Sequence, residues 1–150
     1  MEIYNLKERQ EYLEEVTELE YNEWASNKDL DRKERLERKK EKIRNQFQDN
    51  YFCKLILLDN NSLVGFISLF PNDCKELPEL SPWYATMYVK ETYRGHGYSK
   101  ILNDAILEEA RRRKIKTLYL KTELTNYYEK FGAKYVKMID EKEKLYQFDL

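Results

Sequence analysis

The stretch Thr86–Ile106, TMYVKETYRGHGYSKILNDAI, carries Gly95 and Gly97, two of only four glycines in a chain of 150 residues. On its N-terminal side, WYATMYV (83–89) is aromatic and aliphatic throughout and reads as a strand. On its C-terminal side, Ile101, Leu102, Ala105, Ile106 and Ala110 form one wide apolar stripe, which predicts a helix over 98–113. A strand, a short glycine turn and a helix together make a cradle for anionic oxygens. The first N–H groups of a helix lack intrahelical partners, and the helix dipole is positive there. Glycine lets those N–H groups converge without a Cβ in the way. Arg94 adds positive charge, and the small Ser99 keeps the approach open. The same spacing also fits a turn that needs only positive φ. A Walker loop would end in Gly-Lys-Ser/Thr, and a Rossmann turn would need a third glycine where Lys100 stands.

Working outward, EIYNL (2–6) fits a short strand and 7–25 an acidic helix, with Leu13, Val16, Leu19 or Glu20, and Trp24 near helical spacing. Ser26 or Asn27 is placed to cap a second, basic helix over 28–48, with Leu30, Leu36, Ile43 and Phe47 as its sparse apolar positions. YFCKLILL (51–58) and LVGFISLF (63–70) read as an antiparallel hairpin around a four-residue loop, Asp59 to Ser62. TLYLK (117–121) is a strand and TNYYEKFG (125–132) a short helix stopped by Gly132. KYVKMI and KLYQFDL close the chain as strands around Asp140-Glu141. The order β-α-α-β-β-β-α-β-α-β-β describes one mixed α/β domain spanning 1–150, with helices on a central sheet.

Composition narrows the class. The net charge of −1 gives no overall pull toward nucleic acid or anionic membrane. Basic residues of 28–48 and the run ARRRKIK (110–116) suggest a nucleic-acid surface. Interleaved Glu34, Glu37 and Glu41 argue against it, and the acidic first helix offers the second an internal partner. Two cysteines, Cys53 and Cys74, are too few for a disulfide framework. The N-terminal MEIYNLKERQEYLEE lacks the apolar run of a signal peptide, and LILL (55–58) is too short to span a bilayer. The expectation is a soluble cytoplasmic protein with no membrane or nucleic-acid partner. No His, Cys and Asp cluster has metal-ligand spacing, so no metal is expected.

TMYVKETYRGHGYSKILNDAI resembles the acetyl-CoA-binding motif of the GNAT superfamily of CoA-dependent N-acyltransferases. Arg94, Gly97 and Ser99 occupy the signature positions, with Ser99 standing where glycine or alanine is usual. NYYEKFGAKYV (126–136) resembles that family's second hallmark, with Ala133 in place of the usual aromatic. The resemblance implies a mostly antiparallel central sheet flanked by helices, and acetyl-CoA as co-substrate. It implies that Met87 and Val89 hold the pantetheine arm and polarise the thioester carbonyl through main-chain N–H. The further cofactor contacts it implies are Arg94, Gly95, His96, Gly97, Tyr98, Ser99, Lys100 and Asn126. His96 occupies a variable place in the motif and is read as exposed or as a minor phosphate contact.

Acyl transfer to an amine requires a neutral nucleophile, a donor for the oxyanion and a proton for the departing thiolate. Tyr128 matches the family's general acid, although its neighbours Tyr127 and Phe131 leave it open to a core role. Glu123, at the end of strand 117–121, is the first choice of base, followed by Glu79 and Glu23. Trp24, beside Tyr21 on the first helix, and Trp83 and Tyr84 of SPWYA are expected to line the site of a small-molecule or peptide amine. Glu20, Glu23, Glu76 and Glu79 around these aromatics suit a cation. The competing expectation is a non-catalytic CoA-binding module on the same fold. The sequence does not set the oligomeric state, and a homodimer is left open.

Overall fold

A computed structural model describes all residues 1–150. Seven strands form one sheet: β1 (Glu2–Asn5), β2 (Cys53–Asp59), β3 (Ser62–Phe70), β4 (Trp83–Val89), β5 (Thr117–Thr122), β6 (Lys134–Met138) and β7 (Lys144–Asp149). Their order is β1-β2-β3-β4-β5-β7-β6. Every pair is antiparallel except β4–β5, which is parallel and meets at one residue pair, Trp83 and Tyr119. Three helices flank the sheet: α1 (Leu13–Trp24), α2 (Arg32–Gln46) and α3 (Tyr98–Arg112).

Strands β2 and β3 are apolar nearly throughout because both faces are covered. Along β2, Leu55 and Leu57 point to the core under α3, while Ile56 and Leu58 point to the core under α1 and α2. On α3, Leu102, Ile106 and Ala110 are fully buried, as the stripe predicts. Ile101 is not; it is exposed, one position off the buried side. The acidic α1 and basic α2 neutralise one another, with Arg32–Glu18 at 3.4 Å and Lys39–Glu20 at 2.8 Å.

Local details depart from the sequence reading. The first helix is shorter, because residues 6–8 and 10–12 form 3₁₀ turns before α1, the first capped by Asn5 Oδ1 accepting from Lys7 N. Neither Ser26 nor Asn27 caps α2, which starts after Asp31 at φ +49°. Asp59 pairs with Ser62, so the hairpin loop has two residues rather than four. Asn60 and Asn61, at φ +48° and +66°, supply the left-handed pair that a tight I′-type turn requires. Tyr128–Phe131 is one 3₁₀ turn instead of a helix over 125–132, and Gly132 stops it at φ +99°.

Candidate active site

Past Trp83 and Tyr119 the strands β4 and β5 separate, and two cavities open along the gap. One, of about 420 Å³, is bounded by Met87–Val89, by the turn into α3 and by Tyr127 and Tyr128. The other, of about 570 Å³, lies between α1, β4, β5 and the turn before β7. Met87 and Tyr128 line both.

The smaller cavity is built from backbone. Gly95 and Gly97 lie at φ +81° and +80°, and a Cβ added at either would meet no protein atom within 4 Å. The glycines therefore serve conformation and an open approach, with no crowding inside the protein. Gly97 is the N-cap of α3, so the first N–H groups of that helix face this space. Arg94 is anchored by Nε donating to Val89 O at 2.8 Å, and its guanidinium lies 5.5 Å from the Tyr88 ring centre. Its terminal nitrogens have no partner in the protein. Tyr98 and Ser99 complete the wall. Three expected contacts line neither cavity. His96 is exposed against Tyr98, Lys100 is paired with Asp104 at 2.6 Å, and Asn126 is an exposed turn residue at φ +58°.

A bulge in β4 shapes the junction. Thr86 and Met87 together oppose the single residue Ile67, with Thr86 at φ +48°. The extra residue bends the strand and re-aims Met87. Thr86 Oγ1 shares a hydrogen bond of 2.5 Å with Ser68 Oγ, which accepts from Lys54 Nζ at 2.7 Å. Lys54 in turn donates to Glu20 Oε1 at 2.5 Å, and Glu20 Oε2 pairs with Lys39. Burial opposes the Glu20 charge, but the two ammonium groups outweigh it and hold the carboxyl down at about 2. Burial likewise depresses Lys54, with the Glu20 carboxylate opposing it.

Tyr128 stands at the meeting of the cavities. Its ring packs edge-on to Tyr84 and Tyr127, at 5.8 and 4.8 Å between centres. Its hydroxyl makes no hydrogen bond to the protein. Burial, and then Tyr127, push it up to about 12, so it holds its proton across the neutral range.

The aromatics expected around the acceptor separate. Trp24 lines the larger cavity, half exposed and edge-on to Tyr88. Trp83 does not line it: the ring is sealed beside Cys74, Leu77 and Leu145, with Nε1 donating to Leu80 O. Tyr84 borders that cavity but is only 1% exposed, stacked on Phe148 with its hydroxyl on Asn103 Oδ1. Tyr21 is buried, with its hydroxyl donating to Lys28 O. Among the carboxylates, Glu123 lines the larger cavity, Glu23 the smaller, and Glu79 neither. Sequence reasoning missed Asp73, Lys121 and Glu143 in the larger cavity, and the Lys54–Ser68 link beneath it. Only a lone lysine inside the apolar YFCKLILL gave any hint of that link. Cys53 is buried on β2, and burial pushes its thiol up to about 12. No group of three or more His, Cys, Asp or Glu is placed to hold a metal ion, and no helix is long and apolar enough to cross a membrane.

Solved structures share this architecture over the whole chain. A ribosomal-protein-alanine N-acetyltransferase from Brucella melitensis matches with a TM-score of 0.71 at 21% identity, covering 100% of both chains. A PaiA N-acetyltransferase from Thermoplasma acidophilum, in complex with coenzyme A, matches at 0.67 and 22%, again covering 100% of both. YncA of Salmonella typhimurium, a putative acetyltransferase with acetyl-CoA, matches at 0.61 and 16% over 77% of this chain and 73% of the other. No curated protein sequence matches the chain. At these identities the solved structures speak for the fold. The sequence model of the acetyltransferase (GNAT) family matches residues 8–133, across both motifs and the sheet that carries the cavities, and the chain belongs to that family.

Proposed function

We propose that the protein transfers the acetyl group of acetyl-CoA to a primary amine, with both substrates bound together. The observation that carries this reading is the sharing of Met87 and Tyr128 by two cavities that open along one strand gap. A donor bound in one and an acceptor in the other would meet at those two residues.

The smaller cavity fits CoA. Left-handed glycines in open space, the N-terminus of α3 and the free end of Arg94 suit a pyrophosphate. The thioester supplies an activated acetyl group. The Met87 main chain, turned by the bulge, is the donor assigned to its carbonyl oxygen. Tyr128 gives its phenolic proton to the leaving sulfur. Glu20, Asp73, Glu123 and Glu143 outnumber Lys39 and Lys121 around the larger cavity, which favours a cationic amine, and Trp24 offers it a ring face. A carboxylate of that cavity takes the amine's proton, and Glu123 is the one the sequence reading selects.

The test is CoA release over a panel of diamines, amino sugars and short peptides. At least one class should be acetylated. A protein that binds acetyl-CoA by calorimetry yet acetylates none of them would be a binding module and not an enzyme.

A further inference from the structure

The carboxylates of the acceptor cavity are not equivalent. Glu20 is already claimed by Lys54 and Lys39. Glu123 is exposed, and only its main-chain oxygen is engaged, by Lys144. Asp73 is half-buried in the connection between β3 and β4, lining the cavity that contains Tyr128 and Met87. No ion pair or hydrogen bond to a protein donor occupies its carboxylate. Resting on the acetyl-transfer reading, we propose that Asp73, and not Glu123, is the general base that takes the proton of the acceptor ammonium.

The surroundings fit a base. Lys121 of β5, Glu143 of the turn before β7 and Glu20 of α1 face Asp73 across the larger cavity, with Glu123 at the end of β5. Lys54 of β2 and Lys39 and Lys42 of α2 face it from a smaller cavity behind. Burial raises the Asp73 carboxyl; Lys121 opposes this and Glu143 adds to it, for a value of about 6. A carboxylate at that value is ionised at neutral pH, yet binds a proton far better than an ordinary aspartate.

The step balances. Asp73 takes one proton from the ammonium and later releases it to solvent. The freed nitrogen lone pair forms the C–N bond to the acetyl carbon, the C–S bond breaks, and the sulfur takes the Tyr128 proton. The second proton on nitrogen restores the Tyr128 phenol.

Asp73→Asn should lower kcat/KM at pH 7 by roughly 10²-fold or more, with acetyl-CoA affinity unchanged, on the fastest amine of the panel above. The wild-type acid limb near pH 6 should vanish in this variant. Glu79→Gln, which lines neither cavity, should keep rate and profile. Carboxyl-carbon NMR gives a readout without turnover: one signal, lost in Asp73→Asn, should titrate near pH 6. A raised carboxyl loses stability as pH climbs above the unfolded value of about 3.9, and the cost is complete above about 6, so Asp73→Asn should melt no lower than wild type at pH 7.5. A titration near the ordinary aspartate value of about 3.9 would overturn the assignment. So would an acid limb that persists in Asp73→Asn and disappears in Glu123→Gln. If wild type acetylates an amine and Asp73→Asn does so equally well, the transfer reading stands and the Asp73 role alone falls. If wild type acetylates none, both fall.

Discussion

The two cavities meet at Tyr128 but are made in different ways. The cavity proposed for CoA comes mainly from one continuous stretch, the end of β4 through the first turn of α3, and what it offers is backbone angles and N–H groups. The cavity proposed for the acceptor gathers residues from α1, α2, β4, the β3–β4 connection, β5 and the turn before β7, and its polar lining is mostly charged side chains. A site made of local backbone can be read from a motif. A site made of distant side chains depends on tertiary packing, and its specificity can change without touching the motif.

Tyr128→Phe is the sharpest test of the shared point. The ring and its packing against Tyr84 and Tyr127 survive, and only the proton is lost. Turnover should fall by about 10²–10⁴-fold with acetyl-CoA affinity little changed, while Tyr127→Phe should turn over nearly as wild type. Equal rates in all three proteins would remove Tyr128 from the chemistry.

Lys54→Met strikes beneath the acceptor side. Glu20 would keep Lys39 but lose its buried partner, so the stability loss should fall at the lower end of about 3–5 kcal/mol in urea unfolding. Glu20→Gln combined with Lys54→Met should recover part of it. Glu20 is held below its usual value, so its contribution is complete above about pH 4.3 and is lost as pH falls through about 2. The double variant should therefore show a flatter acid limb in its melting temperature.

Arg94→Ala tests the cofactor side alone. One charge-assisted hydrogen bond is worth about 1.5–3 kcal/mol, so the Kd for CoA should rise by about tenfold or more, while pantetheine, which lacks the pyrophosphate, should bind as before. An equal loss for pantetheine would take Arg94 off the phosphates.

The glycines give the finest contrast. Gly97→Ala should weaken CoA binding through its positive φ, in a protein that folds normally. Gly65→Ala should lower the melting temperature instead, because its Cβ would come within 2.3 Å of Tyr88 O on the neighbouring strand. A Gly97→Ala protein with unchanged CoA affinity would separate the turn from the ligand.

These contrasts also explain what could be read in advance. The strands, the order of elements and the glycine turn were legible because alternation, helical spacing and paired glycines are local signals. Tyr128, which lines both cavities, stood out through its motif, although its 3₁₀ setting did not. Trp83 misled because an aromatic at the start of a central strand looks the same whether it faces a cleft or, as here, a small core of Cys74, Leu77 and Leu145. Asp73 was invisible because its environment is set by Lys121 and Glu143, at least 48 residues further along the chain in the nearer case. No short window of sequence holds that information.

The single pair joining β4 to β5 has a consequence for how the molecule moves. With only Trp83 and Tyr119 in register, the sheet is two leaves, β1 to β4 and β5 to β6, held together by α3 and by Tyr84 stacked on Phe148. Amide hydrogens along the facing edges of β4 and β5 should exchange with solvent through small openings of this seam. Those between β2 and β3, paired along their length but for one bulge at Val64 and buried on both faces, should wait for the whole fold to come apart. Any molecule that settles between the leaves acts as a clasp, slowing exchange at the seam long before it changes anything at the rim.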